Sequence, residues 1–137
     1  MMTKQLEIKI EAKARGFHII TDQVERALGE LPSTGILNLF IKHSSAGITI
    51  NENADPSVRV DFESIFNKLV PENQPYYTHI LEGVDDMPAH IKASLVGSTI
   101  QIPITNGRLN LGTWQGIYLC EFRNHAGSRS LVATVIS

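Results

Sequence analysis

The chain has 137 residues, the size of one domain, with a formal charge of −2, 42% apolar residues and 19% charged residues. That balance is ordinary for a globular protein and gives no reason to expect nucleic acid or an anionic membrane as a partner. No apolar run is long enough to span a bilayer, and the alternating Met1–Lys9 segment lacks the apolar run of a signal peptide. The single Cys120 excludes an intramolecular disulfide and a cysteine zinc site, so a reducing cytoplasm is the expected location.

Leu6, Ile8 and Ile10 alternate with charged residues, which predicts a half-buried strand. A second strand follows at Phe17–Ile20, then a short helix capped by Asp22 with Val24, Ala27 and Leu28 on one face. Gly35–Lys42 is a strongly apolar strand, and Ile48–Ile50 resumes extended structure after a small-residue break. Asp55-Pro56 predicts a helix start, with Asp as cap and Pro in the first turn. Val58, Phe62, Ile65, Phe66 and Leu69 then give that helix one apolar face. The connection from Pro71 to Asp85 is long enough to expect a functional or mobile loop.

Asp86-Met87-Pro88 opens a third helix that ends at Gly97. Ser98–Ile104, Arg108–Leu111, Trp114–Arg123 and Ser130–Ile136 read as strands, with Asn106-Gly107 as a two-residue hairpin turn. Strand-rich termini and few crossover helices predict an α+β fold. It is a single domain, residues 1–137, of mainly antiparallel sheet with two to three helices.

Several segments concentrate groups that can do chemistry. With Asp86 as cap, His90 falls one turn on and on the same side, an acid–histidine pair able to orient a general base or contribute to a metal site. Two capping acids and a surface histidine would look the same. His43 ends an apolar strand and leads into Ser44-Ser45-Ala46-Gly47, where hydroxyls and backbone N–H groups can meet an anion; a plain tight turn is the alternative. Asn51, Glu52 and Asn53 exceed what capping by Asp55 needs, so they are candidates to orient a ligand. In Gly112-Thr113-Trp114-Gln115-Gly116 the only Trp lies between glycines, as a ligand wall or as a core or interface anchor. Glu121 and Arg123 can form a cross-strand ion pair. His18 reads as packing, His79 as a loop residue able to close over a site, and His125 as exposed. Cys120, inside an apolar run, reads as a buried small side chain. No P-loop, Gly-x-Ser-x-Gly, His-x-x-x-His or Gly-x-Gly-x-x-Gly pattern is present.

Three blocks carry a family resemblance. They are His43-Ser44-Ser45-Ala46-Gly47-Ile48-Thr49-Ile50-Asn51-Glu52-Asn53-Ala54-Asp55-Pro56, then Glu82-Gly83-Val84-Asp85-Asp86-Met87-Pro88-Ala89-His90-Ile91-Lys92, then Leu111-Gly112-Thr113-Trp114-Gln115-Gly116-Ile117. In this order they resemble the YjbQ-like family, and the resemblance runs over roughly residues 5 to 136. It implies antiparallel α+β sheets and a compact homotrimer. It also implies a secondary thiamine-phosphate synthase activity, which joins a pyrimidine pyrophosphate to a thiazole phosphate. The family pattern maps onto His43, Asn51, Asn53, Asp86, His90, Trp114, Gln115 and Glu121, and Arg129 resembles a C-terminal basic position able to meet a phosphate.

The expected site therefore has His43, His90, Asp86 and Glu121 in the chemistry. Ser44, Ser45, Asn51, Asn53, Trp114, Gln115 and Arg129 bind the ligand. His43 and His90 are candidate ligands of a divalent metal, Zn²⁺ or Mg²⁺. The expected partner is a small phosphorylated molecule or anion. One reading is a transferase acting on such a molecule. The other is a non-catalytic trimer that binds a metal or a small anion.

Overall fold

The computed structural model describes residues 2–137. In chain order the elements are β1 (Thr3–Ile10), β2 (Gly16–Ile19), α1 (Thr21–Leu28), β3 (Thr34–Ile41), β4 (Ala46–Glu52), α2 (Pro56–Leu69), α3 (Asp86–Val96), β5 (Thr99–Thr105), β6 (Arg108–Leu109), β7 (Gln115–Glu121) and β8 (Arg129–Ile136). All strand pairs are antiparallel. They form a five-stranded sheet in the order β1-β8-β3-β5-β6 and a three-stranded sheet in the order β2-β7-β4. The α+β expectation holds, with three helices in one domain. Among the described residues no helix is long and apolar enough to cross a membrane.

Strand alternation decides what each sheet buries. Leu37, Leu39 and Ile41 of β3, Ile102 and Ile104 of β5, and Leu131, Ala133 and Val135 of β8 face inward, where Ile48, Ile117 and Leu119 of the smaller sheet meet them. The other face of β7 presents Tyr118 and Cys120, with Phe122 just beyond, to Phe17 and to Phe62 and Phe66 of α2. β7 is thus buried on both faces, which explains its unbroken apolar run. Cys120 lies in this second core, where burial pushes its thiol far up, so it is inert.

Local signals explain most boundaries. Asp55 caps α2, its Oδ1 accepting from the Ser57 backbone N–H at 2.9 Å, with Pro56 in the first turn. Asn106 and Gly107 both have positive φ, 53° and 75°, as a two-residue turn between β5 and β6 requires. Three expectations need correction. Asp22 does not cap α1; the N-cap is Ile20, with no side-chain hydrogen bond. Asp86 does not cap α3 either. Asp85 holds that place without a side-chain cap bond, and Asp86 is the first helical residue. The apolar face of α2 is only partly used, because Phe62 and Phe66 take the contact with β2 and β7 and leave Ile65 and Leu69 pointing outward.

Two close approaches position the site. A Cβ on Gly47 would lie 2.9 Å from Val96 Cγ1 and 3.1 Å from Gly97 O, so glycine in β4 lets the end of α3 lie directly on the strand. α3 is also tied to α2 by Lys92, a buried lysine that donates to Asn67 Oδ1 at 2.7 Å and lies 5.9 Å from the Phe122 ring centre. Burial lowers the Lys92 pKa, and Arg15 beside it lowers it further.

Candidate functional site

The first turn of α3 gathers a dense polar cluster. Asp86 is buried, and its Oδ2 accepts from His79 Nε2–H at 2.7 Å and lies 3.1 Å from His90 Nε2. Its Oδ1 accepts from Arg123 Nη1. The His79 and His90 ring centres are 5.4 Å apart. Arg123 Nε donates to Asp85 Oδ2 at 2.9 Å, and Arg123 Nη2 donates to Glu82 O at 3.0 Å. Burial pushes the Asp86 carboxyl up, but the His79 hydrogen bond and the charges of His90 and Arg123 outweigh it and hold the group below the usual aspartate range. Asp85 is lowered in the same way: burial acts upward, and the Asn124 backbone N–H and Arg123 overcome it. His79, His90 and Asp86 each offer one atom, and the three atoms lie within 4.8 Å of one another.

This cluster contains two residues that the sequence did not place there. His79 is on the long loop, and its partner Asp86 is reached only because the loop folds back on α3. Arg123 pairs with Asp85 and Asp86 rather than with Glu121. The length of the loop is the one signal that pointed toward His79.

The second constellation surrounds His43. Its Nε2 accepts from the Ser130 backbone N–H at 2.8 Å. Nδ1 therefore carries the proton of the neutral ring. Burial lowers the His43 pKa, the Arg129 guanidinium lowers it further, and Glu121 opposes them. Glu121 is 0% exposed and takes Arg129 in a two-pronged pair, with Arg129 Nε donating to Oε1 at 2.8 Å and Nη2 to Oε2. The same Nη2 reaches Ser45 Oγ at 3.1 Å. Glu121 thus does not line an open site, and Arg129 turns inward to a carboxylate instead of outward to a phosphate.

The two constellations share one cleft of about 640 Å³ between β4 and α3, lined by His43, Ser44, Ala46, His90, Ala93, Ser94, Gly97 and Ser98. His90 Nδ1–H donates across it to Ser44 O at 3.0 Å. His43 and His90 therefore line the same cleft. The Nε2 lone pair of His43 is taken by the Ser130 N–H, and His79 supplies the second imidazole beside Asp86.

The remaining predicted residues are elsewhere. Ala46 pairs with Glu121 at one end of the β4–β7 ladder, and Glu52 pairs with Gln115 at the other. At ~3.3 Å per residue the two ends are roughly 20 Å apart. Asn51, Asn53, Trp114 and Gln115 belong to the far end. Asn53 Nδ2 donates to Thr113 O at 3.2 Å and to Gln115 O at 3.0 Å, and Gln115 Oε1 accepts from the Gly112 N–H at 2.8 Å. Asn51 Oδ1 accepts from the Glu52 N–H at 2.8 Å. The side chains of Asn53 and Gln115 thus lock the loop before β7. Trp114 is 66% exposed and does not wall the His43–His90 cleft of its own chain.

Residues 4–137 match the family model described as UPF0047 protein YjbQ-like. The chain is similar to UPF0047 protein YjbQ of Salmonella typhimurium, 50% identical over 98% of each chain, and to UPF0047 protein YjbQ of Escherichia coli O157:H7, 46% identical over 98% of each chain. Among solved structures it is similar to an uncharacterised conserved protein of the YjbQ/UPF0047 family from Clostridium acetobutylicum. The TM-score there is 0.84 at 42% identity, covering 96% of this chain and 99% of that one.

Proposed function

The chain belongs to the UPF0047 YjbQ-like family, and from that premise we propose that it binds a small phosphorylated molecule in the cleft between β4 and α3 and acts on it as a transferase of the secondary thiamine-phosphate synthase type. The observation that carries this reading is the wall of the cleft. Ser44, Ser94 and Ser98 bring hydroxyls to it, and His43 brings a neutral ring whose Nδ1–H has no partner among the described residues. Hydroxyls and a fixed N–H donor suit phosphate oxygens. The Glu121–Arg129 pair behind His43 holds Ser45 in place.

Cationic side chains are scarce at this cleft, since the Arg129 charge is spent on Glu121. A departing pyrophosphate would therefore depend on Mg²⁺ brought with the substrate. The test is an assay with both thiamine-phosphate precursors at saturation. The expected result is slow, Mg²⁺-dependent product formation that falls in His43→Ala. No product above background would leave the second reading, a non-catalytic anion-binding protein. A specific observation favours that second reading. Both ring nitrogens of His90 are engaged within the protein, so His90 is not free to carry a proton to a ligand.

The assembly is part of the proposal. The outer face of the five-stranded sheet exposes Ile36, Phe40 and Ile136, with Ile36 directly opposite Ile136 in register. A second and third copy of the chain are the cover that the family resemblance implies. Light scattering should return about three times the 15.1 kDa chain mass; a monomer mass would reject the trimer.

A further inference from the structure

We propose that His79 Nε2, Asp86 Oδ2 and His90 Nε2 hold a divalent transition-metal cation of the zinc type, at a place separate from any Mg²⁺ carried by substrate. Three features argue for it.

The first is convergence. Zn²⁺ sits ~2.0–2.1 Å from imidazole nitrogen, so two ligand atoms on a tetrahedral ion are about 3.3 Å apart. The separations from Asp86 Oδ2 are 2.7 Å to His79 and 3.1 Å to His90, and all three atoms fall within 4.8 Å. Small ring rotations admit an ion. Two imidazoles and one carboxylate are a donor set suited to zinc rather than to magnesium.

The second is the direction of the protons. His90 Nδ1–H is committed to Ser44 O. Nε2 is thereby the ring nitrogen that faces the Asp86 carboxylate oxygen, at 3.1 Å, and a cation can take the place of the proton between them. The same Nδ1–H bond is the outer contact that a metal-bound histidine ordinarily has, fixing the ring and its tautomer. Arg123 plays the matching part for Asp86, holding Oδ1 so that Oδ2 faces the two rings.

The third is charge and access. Asp85 and Asp86 bring two carboxylates against the one guanidinium of Arg123. A cation balances that cluster. Side chains of His79 and His90 are 43% and 32% exposed, so a fourth position on the ion opens toward solvent and toward the cleft.

The test is equilibrium dialysis of the purified full chain against micromolar Zn²⁺ with metal analysis, backed by the visible absorption of Co²⁺ as a report on nitrogen ligation. One equivalent per chain is expected. His79→Ala and His90→Ala should each weaken binding by about tenfold or more, while His43→Ala leaves it unchanged. His79 stands on the loop, so a variant there keeps the fold if Asp86→Asn does not. Absence of binding to the wild-type chain, or His79→Ala binding as wild type does, would overturn the assignment. Inorganic pyrophosphate titrated in the presence of a chelator reads the cleft on its own, so loss of one reading is distinguishable from loss of the other.

Discussion

The two charged clusters that flank the cleft are built from similar groups and come to opposite ends. Glu121 and Arg129 close on each other: the carboxylate takes two guanidinium N–H groups and the Arg123 backbone N–H, and neither side chain is left facing water. Asp86 is equally buried, but only one of its oxygens is held by a guanidinium, that of Arg123, while the other is covered by two partly exposed imidazoles. A closed pair contributes rigidity and cannot take a ligand. A carboxylate covered on one side by exchangeable, partly exposed imidazoles is the kind the metal proposal requires. Burial alone therefore does not tell the two acids apart; the partners of the second oxygen do.

The largest effect should come from breaking the closed pair. Arg129→Ala leaves Glu121 buried without its counterion, and we expect a loss of about 3–5 kcal/mol in urea unfolding, with zinc binding retained in whatever fraction stays folded. A neutral result would mean that Glu121 is not fixed by Arg129.

A middle-sized effect is expected on the acid side. Asp85 and Asp86 have carboxyls held below their ordinary range, and an unfolded aspartate titrates near ~3.9. Their contribution is complete above that value and is lost as pH falls through the lower folded values, because the unfolded chain binds protons first. The thermal midpoint should therefore drop steeply below about pH 4. Asp86→Asn should flatten that drop while costing about 1.5–3 kcal/mol at neutral pH, the worth of a hydrogen bond to a charged group. An unchanged acid limb would show that Asp86 does not contribute to it.

The smallest effect sharpens the comparison most. His79→Ala should cost less than Asp86→Asn, about 1 kcal/mol, because it removes one partly exposed hydrogen bond to Asp86 and leaves the Arg123 bond in place. A large fall in the thermal midpoint would make His79 a structural strut of the loop.

Local physics was legible in the sequence. Asp55-Pro56, Asn106-Gly107 and the inward residues of β3 each follow from neighbours within a few positions, and the structure keeps all of them. The pairing of His90 with Asp86 was legible too, since the helix period fixes it, although the capping role given to Asp86 was not correct. What failed was long-range. Nothing near Glu121 says that it prefers Arg129 across the gap between sheets to Arg123 two residues on. Neighbours two apart on a strand do share a face, but β7 ends at Glu121 and the chain turns there. Likewise Asn51, Asn53, Trp114 and Gln115 share sequence blocks with the site, yet the β4–β7 register carries them to the other end of the ladder.

The order of the larger sheet has a bearing on how the chain can be made. β8 lies between β1 and β3, in register with both from Thr3↔Ile136 to Ile41↔Leu131. A nascent chain still lacking residues 129–136 has its first strand unpaired and the edge of β3 open, however long it waits on the ribosome. Closure is an end-to-end event of high contact order, slow for its size and exposed to edge-to-edge pairing with neighbouring chains until the last strand slots in. A stop codon that removed only those last residues would cost far more than their number suggests, because it takes out the middle of the sheet and not its margin.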